Sequence, residues 1–288
     1  MDPVDLLDRC EFPAGHLHLG VSGGADSVAM ALLAHAAQRP FTIWHVHHGL
    51  QAGADDDAEA VARLAADLGA ACEIRRVEID AGGDLEARAR AARYAALPDD
   101  VCVGHTADDR AETVLLNLFR GAGLAGVAAR MDRVHRPILG LRRAETEAVC
   151  AIAGYRPVAD PMNDDPTFRR VAVRRSVLPA AAEAFDRDVV PLLNRHADLV
   201  ADALEVIGAA ADDVDATNVV ALRGVPRAVA TEVLRRWIAA ELGSAAGIDL
   251  AAIDRAMLVV DGTHKATELP GGHRLARTDG VLRIEQRP

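Results

Sequence analysis

The chain of 288 residues carries a formal charge of −11, is 50% hydrophobic and only 3% aromatic; this composition supplies a buried core and excludes intrinsic disorder. No apolar run approaches the roughly 18 residues of a membrane span, and residues 1–20 lack the basic-then-apolar order of a secretory signal, so a cytoplasmic protein without membrane contact is expected. Four widely spaced cysteines, Cys10, Cys72, Cys102 and Cys150, form no CxxC pair, which removes zinc ribbons, disulfide scaffolds and dithiol redox chemistry.

Strand-like and helix-like segments alternate through the first 140 residues. Strands are expected at His16–Val21, Phe41–Val46, Cys72–Ile79 and Val101–Gly104, with helices at Asp26–Ala37, Asp55–Leu68, Leu85–Ala96 and Asp108–Phe119. The pattern implies an α/β fold, an open parallel sheet with right-handed crossovers placing helices on both faces. After Gly140 the alternation stops. A helix is expected at Arg142–Gly154, an ordered loop at Arg156–Thr167, mostly helix from Val171 to Ala210, and hairpin-like turns around Gly271, Gly272 and Gly280. A boundary near Phe185 would divide residues 1–185 from a smaller, mainly helical α+β domain at 186–288.

The net charge gives no general attraction to nucleic acid, so a polyanionic partner needs a local basic surface. One stretch provides it: between Arg130 and Arg175 ten arginines stand against six acidic residues. The single lysine of the chain is Lys265, so no lysine-bearing phosphate loop precedes it.

In an open α/β sheet, ligands bind beyond the carboxyl ends of the strands. The first expected strand runs into Ser22-Gly23-Gly24-Ala25-Asp26-Ser27, the second into His47-His48-Gly49, the third into Asp80-Ala81-Gly82-Gly83 and the fourth into His105-Thr106-Ala107-Asp108-Asp109. Adjacent glycines between strand and helix let several backbone N–H groups converge on a phosphate while the helix N-terminus adds partial positive charge. A plain capped turn is the alternative, but a chance match to SGGxDS in this length has a probability of roughly one in a few thousand.

SGGADS resembles the phosphate loop of the PP-loop, or N-type ATP pyrophosphatase, family, which splits ATP into AMP and pyrophosphate. Four further segments, HVHHGL at His45–Leu50, ARAARY at Ala89–Tyr94, HTADDRAETVL at His105–Leu115 and DPMNDDPTFRRVAVR at Asp160–Arg174, are similar within it to the tRNA(Ile)-lysidine synthetases. The resemblance runs in order over about residues 20–179. It implies an ATP-dependent ligase that adenylates the wobble cytidine of an isoleucine tRNA with a CAU anticodon and then joins L-lysine to C2.

Roles follow from that resemblance. Ser22, Gly23, Gly24, Ala25, Asp26 and Ser27 would cradle ATP, with His48 bordering the adenine. Asp109 and Glu112, i,i+3 on one helical face, would act in catalysis, and Asp26 with Asp109 would hold Mg²⁺; the alternative is acidic residues complementing a helix dipole. His105 would act in catalysis, contacting phosphate or assisting proton transfer, against a hydrogen-bonded structural histidine. Arg90 and Arg93 would neutralise phosphates or fix a carboxylate, against a solvated salt-bridge ladder with Glu86. Asn163, Asp165, Phe168, Arg170 and Arg174 would contact tRNA, against a loop followed by an amphipathic helix. The smaller domain would add tRNA contacts, and a homodimer is compatible with these features. Two other readings use the same motifs: a tRNA thiolase of the same family, which needs a persulfide or an iron–sulfur cluster and hence paired cysteines, and a non-catalytic ATP- or tRNA-binding module.

Overall fold

The computed structural model describes residues 3–47, 49, 53–77, 85–129, 134–158, 168–243 and 248–286, with the side chains of 85–87, 89 and 90 outside that description. The chain divides into two compact units, one of Met1–Thr113 with Met131–Asn194 and one of Val114–Arg130 with Arg195–Pro288.

In the first unit strands β1 (Leu17–Gly20), β2 (Phe41–His47), β3 (Ala71–Arg76) and β4 (Cys102–Val103) alternate with helices α1 (Ala25–Ala36), α2 (Ala54–Asp67) and α3 (Leu85–Ala95), and α4 (Ala107–Phe119) follows the last strand. All pairings are parallel, in the order β3-β2-β1-β4. Leu17 and Leu19 of β1, Phe41 and Ile43 of β2 and Val28, Met30 and Leu33 of α1 enter one core with Leu64, Ile138 and Leu141. Three aspartates, Asp55 to Asp57, occupy the first turn of α2, where they complement the helix dipole, and the helix buries Ala58, Val61, Leu64 and Ala65 at helical spacing. Of the third expected strand, Ala71–Arg76 is formed and residues 78–79 lie outside the described residues; its exposed residues mark a sheet edge.

Because β1 lies between β2 and β4, the chain runs outward on one side of β1 before returning to the other. The crevice past the carboxyl ends of β1 and β4 is therefore the topological switch point, the usual ligand position in such sheets. Two further pairings steer the chain back to it. The His135 backbone bonds to both Val101 and Val103, extending the sheet beside β4, and the Ala107 N–H donates to the Leu141 carbonyl. Helix α6 (Arg143–Ile152), after the short α5 (Leu124–Val127), then starts beside the first turn of α4 and packs against α1. The following helical run consists of α7 (Arg169–Ala172), a π-helical turn at Val173–Val177, and α8 (Leu178–Phe185).

In the second unit, most of the long α9 (Val190–Ala211) joins α10 (Val219–Arg223), α11 (Arg227–Glu241) and α12 (Leu250–Asp261), with a small antiparallel sheet β5-β6-β7 (Ala266–Glu268, His273–Thr278, Val281–Gln286). Leu222, Leu234, Ile238, Val260 and Leu275 form its core. The β6–β7 hairpin closes on Asp279-Gly280, both at positive φ (51° and 80°), the Asp-Gly pair such a two-residue turn demands. The expected α/β layout and helical tail with a small sheet are thus both present.

Gly104 fixes how closely β4 approaches the loop after β1, since a Cβ there would lie 2.8 Å from the backbone of Asp26 and Ser27. Backbone cannot rotate aside as a flexible side chain can, so Gly104→Ala should cost about 1–3 kcal/mol by overpacking. Urea unfolding of the variant and the parent measures it; equal midpoints would show that the two loops have room to separate.

Candidate active site at the carboxyl ends of strands 1 and 4

The loop after β1 is braced from inside. Ser27, nearly buried in the first turn of α1, accepts the Ser22 N–H at 3.1 Å and donates to the Gly24 carbonyl at 2.9 Å. The Gly23 carbonyl accepts the Val158 N–H at 3.0 Å, and its φ of +96° is a conformation open to glycine. Gly24 caps α1 in an extended conformation, leaving the first-turn amides of Ala25, Asp26 and Ser27 at the loop's end. This is the geometry of an anion cradle made of backbone and helix dipole without lysine. The Ser22 hydroxyl sits 3.2 Å from that of Ser27, so both serines hold the loop's shape.

The turn after β4 is capped by its own acid. Asp109 Oδ2 accepts both the Thr106 N–H at 2.9 Å and the Thr106 hydroxyl at 3.0 Å, which ties the residue before α4 to the first turn of that helix. Its other oxygen accepts Arg143 Nη2 at 2.9 Å. The same guanidinium reaches Glu112 Oε1 at 3.1 Å through Nη1 and Asp26 Oδ2 at 3.5 Å through Nε. Thr146, one turn further along α6 and fully buried, donates to Asp26 Oδ1. The phosphate loop and the acidic pair of α4 therefore share one cluster, joined by the first turn of α6.

Glu112 lies at the centre of the arginines. It is fully buried and accepts Arg170 Nε at 3.0 Å and Arg174 Nε at 2.7 Å in addition to Arg143. Arg170 also donates to the Thr113 hydroxyl at 2.9 Å. The two arginines stand four residues apart across the junction of α7 and the π-helical turn, a distortion common at functional sites. Beside the cluster, Arg142 pairs with Asp108 through Nε and Nη2, both at 3.0 Å, and with Asp188.

The electrostatics separate the acids. Burial pushes the Asp26 carboxyl above its ordinary range, and neighbouring Asp109 adds to the rise; the Thr146 hydrogen bond and Arg143 only partly offset it. Burial acts on Asp109 in the same direction, but Arg143, the Thr106 N–H and the nearby charges of His105 and Arg170 prevail and hold it below the usual carboxylate range. For Arg143, burial is outweighed by Asp109, Glu112 and Asp26, which keep it firmly charged. Asp26 and Asp109 thus present two mutually repelling carboxylates on one cation.

The remaining expected residues fall as follows. His105 follows β4 within electrostatic range of Asp109. Arg93 is on α3, close enough to His45 to depress that imidazole further; burial is the main cause there, and Nδ1 of His45 is 2.8 Å from the Val21 carbonyl. Phe168 caps α7 and is half-buried. Arg90 lies on α3 with its side chain outside the described residues, as are His48, Asn163 and Asp165 altogether. Burial pushes the thiols of Cys10, Cys102 and Cys150 up to about 11, far from the thiolate form that sulfur transfer needs.

The sequence reading missed Arg143, Thr146 and the Arg142–Asp108 pair. A signal was present: two consecutive arginines at a helix N-terminus oppose its dipole and require carboxylates from elsewhere.

Comparison with known proteins gives the family. Residues 5–181 match the family model of the PP-loop domain. Among curated proteins the chain is similar to the tRNA(Ile)-lysidine synthase of Corynebacterium glutamicum, 37% identical over 253 residues covering 83% of this chain and 80% of that protein. It is also similar to that of Mycolicibacterium paratuberculosis, 36% identical over 323 aligned positions covering 100% and 99%. Among solved structures, the U34-tRNA thiolase NcsA from Methanococcus maripaludis with its 4Fe–4S cluster is similar at a TM-score of 0.48 and 17% identity, covering 64% of this chain and 72% of that one. With its PP-loop domain spanning more than half its length and such relatives aligned along nearly all of it, the chain belongs to the tRNA(Ile)-lysidine synthase family.

Proposed function

We propose that this enzyme uses ATP to join L-lysine to C2 of the wobble cytidine in an isoleucine tRNA with a CAU anticodon, giving lysidine, AMP and pyrophosphate. The cytosine O2 attacks the α-phosphate and pyrophosphate leaves; the lysine ε-amine then attacks C2 and AMP leaves. The observation that carries this reading is the joining of Asp26, in the phosphate loop, to Asp109 and Glu112 of α4 through Arg143. A triphosphate seated on the loop's amides would lie against those carboxylates.

Each residue then has a physical task. The amides from Gly23 to Ser27 hold phosphate oxygens, and Ser22 with Ser27 preserves the loop. Among the described residues no group of three His, Cys, Asp or Glu side chains is arranged to hold a metal by itself. Mg²⁺, however, is commonly bound through one or two carboxylates plus substrate phosphates, and Asp26 with Asp109 fits that donor set. When bound, it would supply neutralisation of charge on the leaving pyrophosphate. Asp109, held below its usual range, is better suited to holding a cation than to accepting a proton, and Glu112 is already engaged by three arginines. Arg170 and Arg174 adjoin the acidic cluster and, with Phe168, would contact tRNA there together with Asn163 and Asp165, which lie outside the described residues; the smaller unit would add tRNA contacts. Among the described residues no helix is long and apolar enough to cross a membrane.

Incubation with ATP, labelled lysine and transcribed isoleucine or methionine tRNA tests the activity directly; label is expected on the CAU isoleucine tRNA alone, and transfer of another amino acid or none would reject it. In that assay Asp109→Asn and Glu112→Gln should each lower turnover at least ~100-fold, the scale of a lost electrostatic contribution to the transition state; near-normal rates would remove them from the chemistry. A stability measurement addresses Asp26. Its carboxyl is raised on folding, so ionising it costs stability at pH values above its folded pKa. Asp26→Asn should therefore raise Tm at neutral pH while abolishing activity, and the difference should shrink as pH falls through the folded value. For the depressed Asp109 the sign reverses: its contribution is present above the unfolded pKa and is lost as pH falls through the lower folded one, so Asp109→Asn should flatten the acid limb of the Tm profile.

A further inference from the structure

Arg142 caps the N-terminus of α6 and Arg143 is its first residue, where the helix dipole already presents positive charge. Arg142 is answered by Asp108 alongside it, with Asp188 as its second partner. Arg143 instead turns toward Asp26, Asp109 and Glu112. Glu112 has Arg170 and Arg174 as well. Asp26 and Asp109 lie in the first turns of the helices that follow two neighbouring strands and repel each other when both are charged; Arg143 bridges them, and Arg174 approaches Asp109 only at 3.9 Å. Thr146 fixes the Asp26 carboxylate from the same helix, and its hydroxyl is also 2.7 Å from the Arg143 carbonyl, so one turn of α6 sets both the cation and the acid.

We propose that Arg143 is the resident counter-ion of the Asp26–Asp109 pair: it holds the two carboxylates together in the nucleotide-free protein and gives up its place on them to the divalent ion that accompanies the nucleotide. This deepens the functional reading above and rests on its assignment of those two carboxylates to a divalent ion. Arg143 is a positioning residue, acting through the acids. Its three-way contact suits the planar guanidinium fork, which a lysine ammonium cannot reproduce. The exchange also keeps the two partly buried acids neutralised in both states, since leaving a carboxylate withdrawn from solvent unpaired is unfavourable.

The test is Mn²⁺ binding to the full chain, followed by the loss of the free-ion electron paramagnetic resonance signal without tRNA or lysine. Without nucleotide, Arg143→Gln should bind Mn²⁺ at least about 10-fold more tightly than the parent, because the competing cation is gone. Asp26→Asn added to that variant should erase the gain, and Arg143→Lys should lie between parent and Gln variant. A residue that merely held α6 in place would leave Mn²⁺ affinity unchanged or weaken it when replaced, and either result overturns the proposal. Should the Gln variant not fold, the Lys variant decides alone, with parent-like affinity overturning it. The parent with ATP present separates the two ideas: Mn²⁺ uptake there without a gain in the variants removes only the counter-ion role, whereas no uptake removes the divalent-ion assignment and the proposal with it.

Discussion

A guanidinium that reaches Asp26, Asp109 and Glu112 at 3.5, 2.9 and 3.1 Å is the constraint around which this site is organised. Those acids come from the loops or helices that follow two adjacent parallel strands, and burial makes each of them costly as an isolated charge. Three arginines, Arg143, Arg170 and Arg174, meet the three carboxylates, so the cluster is balanced in charge although it is largely withdrawn from solvent. Such clusters add little to stability relative to an apolar core of equal volume. Here the gain is placement: the cluster sets where the phosphate loop, the first turn of α4 and the α7 segment stand relative to one another.

The sheet supplies the frame for that placement. With β1 between β2 and β4, the carboxyl ends of β1 and β4 open into one crevice, and Gly104 lets the two loops meet at backbone contact. The phosphate loop adds directional charge without a mobile side chain, through glycine geometry and the helix dipole. Its serines hold the loop's shape and Asp26 faces the cluster, so the backbone amides of the loop and its one carboxylate point to separate tasks a few residues apart. That division suits an enzyme family that handles a triphosphate beside a nucleic-acid base.

The arginines expected from sequence to contact RNA are engaged with an acid of the cluster. Arg170 and Arg174 both bond to Glu112 across a π-helical turn, so the segment that follows residues 159–167 is anchored to an acid of α4. A buried carboxylate with three cationic partners is a rigid post. Its effect is to tie the position of the basic segment to that of the phosphate loop.

Much of the architecture was legible in the amino-acid order because it depends on local periodicity and turn chemistry. The alternation of strands and helices to residue 140, the glycine turn after β1, the acidic first turn of α2 and the Asp-Gly hairpin at 279–280 are each set by residues within a few positions of one another. The likeness of SGGADS and HTADDRAETVL to known motifs also marked Asp26, Asp109 and Glu112. Sequence alone did not disclose Arg143 and Thr146, nor the pairing of Glu112 with Arg170 and Arg174. Those contacts join residues as far apart as Asp26 and Thr146, 120 positions along the chain, or Glu112 and Arg174, 62 positions apart. Only the folded sheet brings them together, because a charge carries no local pattern to name its partner and the dielectric that gives the pair its strength exists only after the core has closed around it.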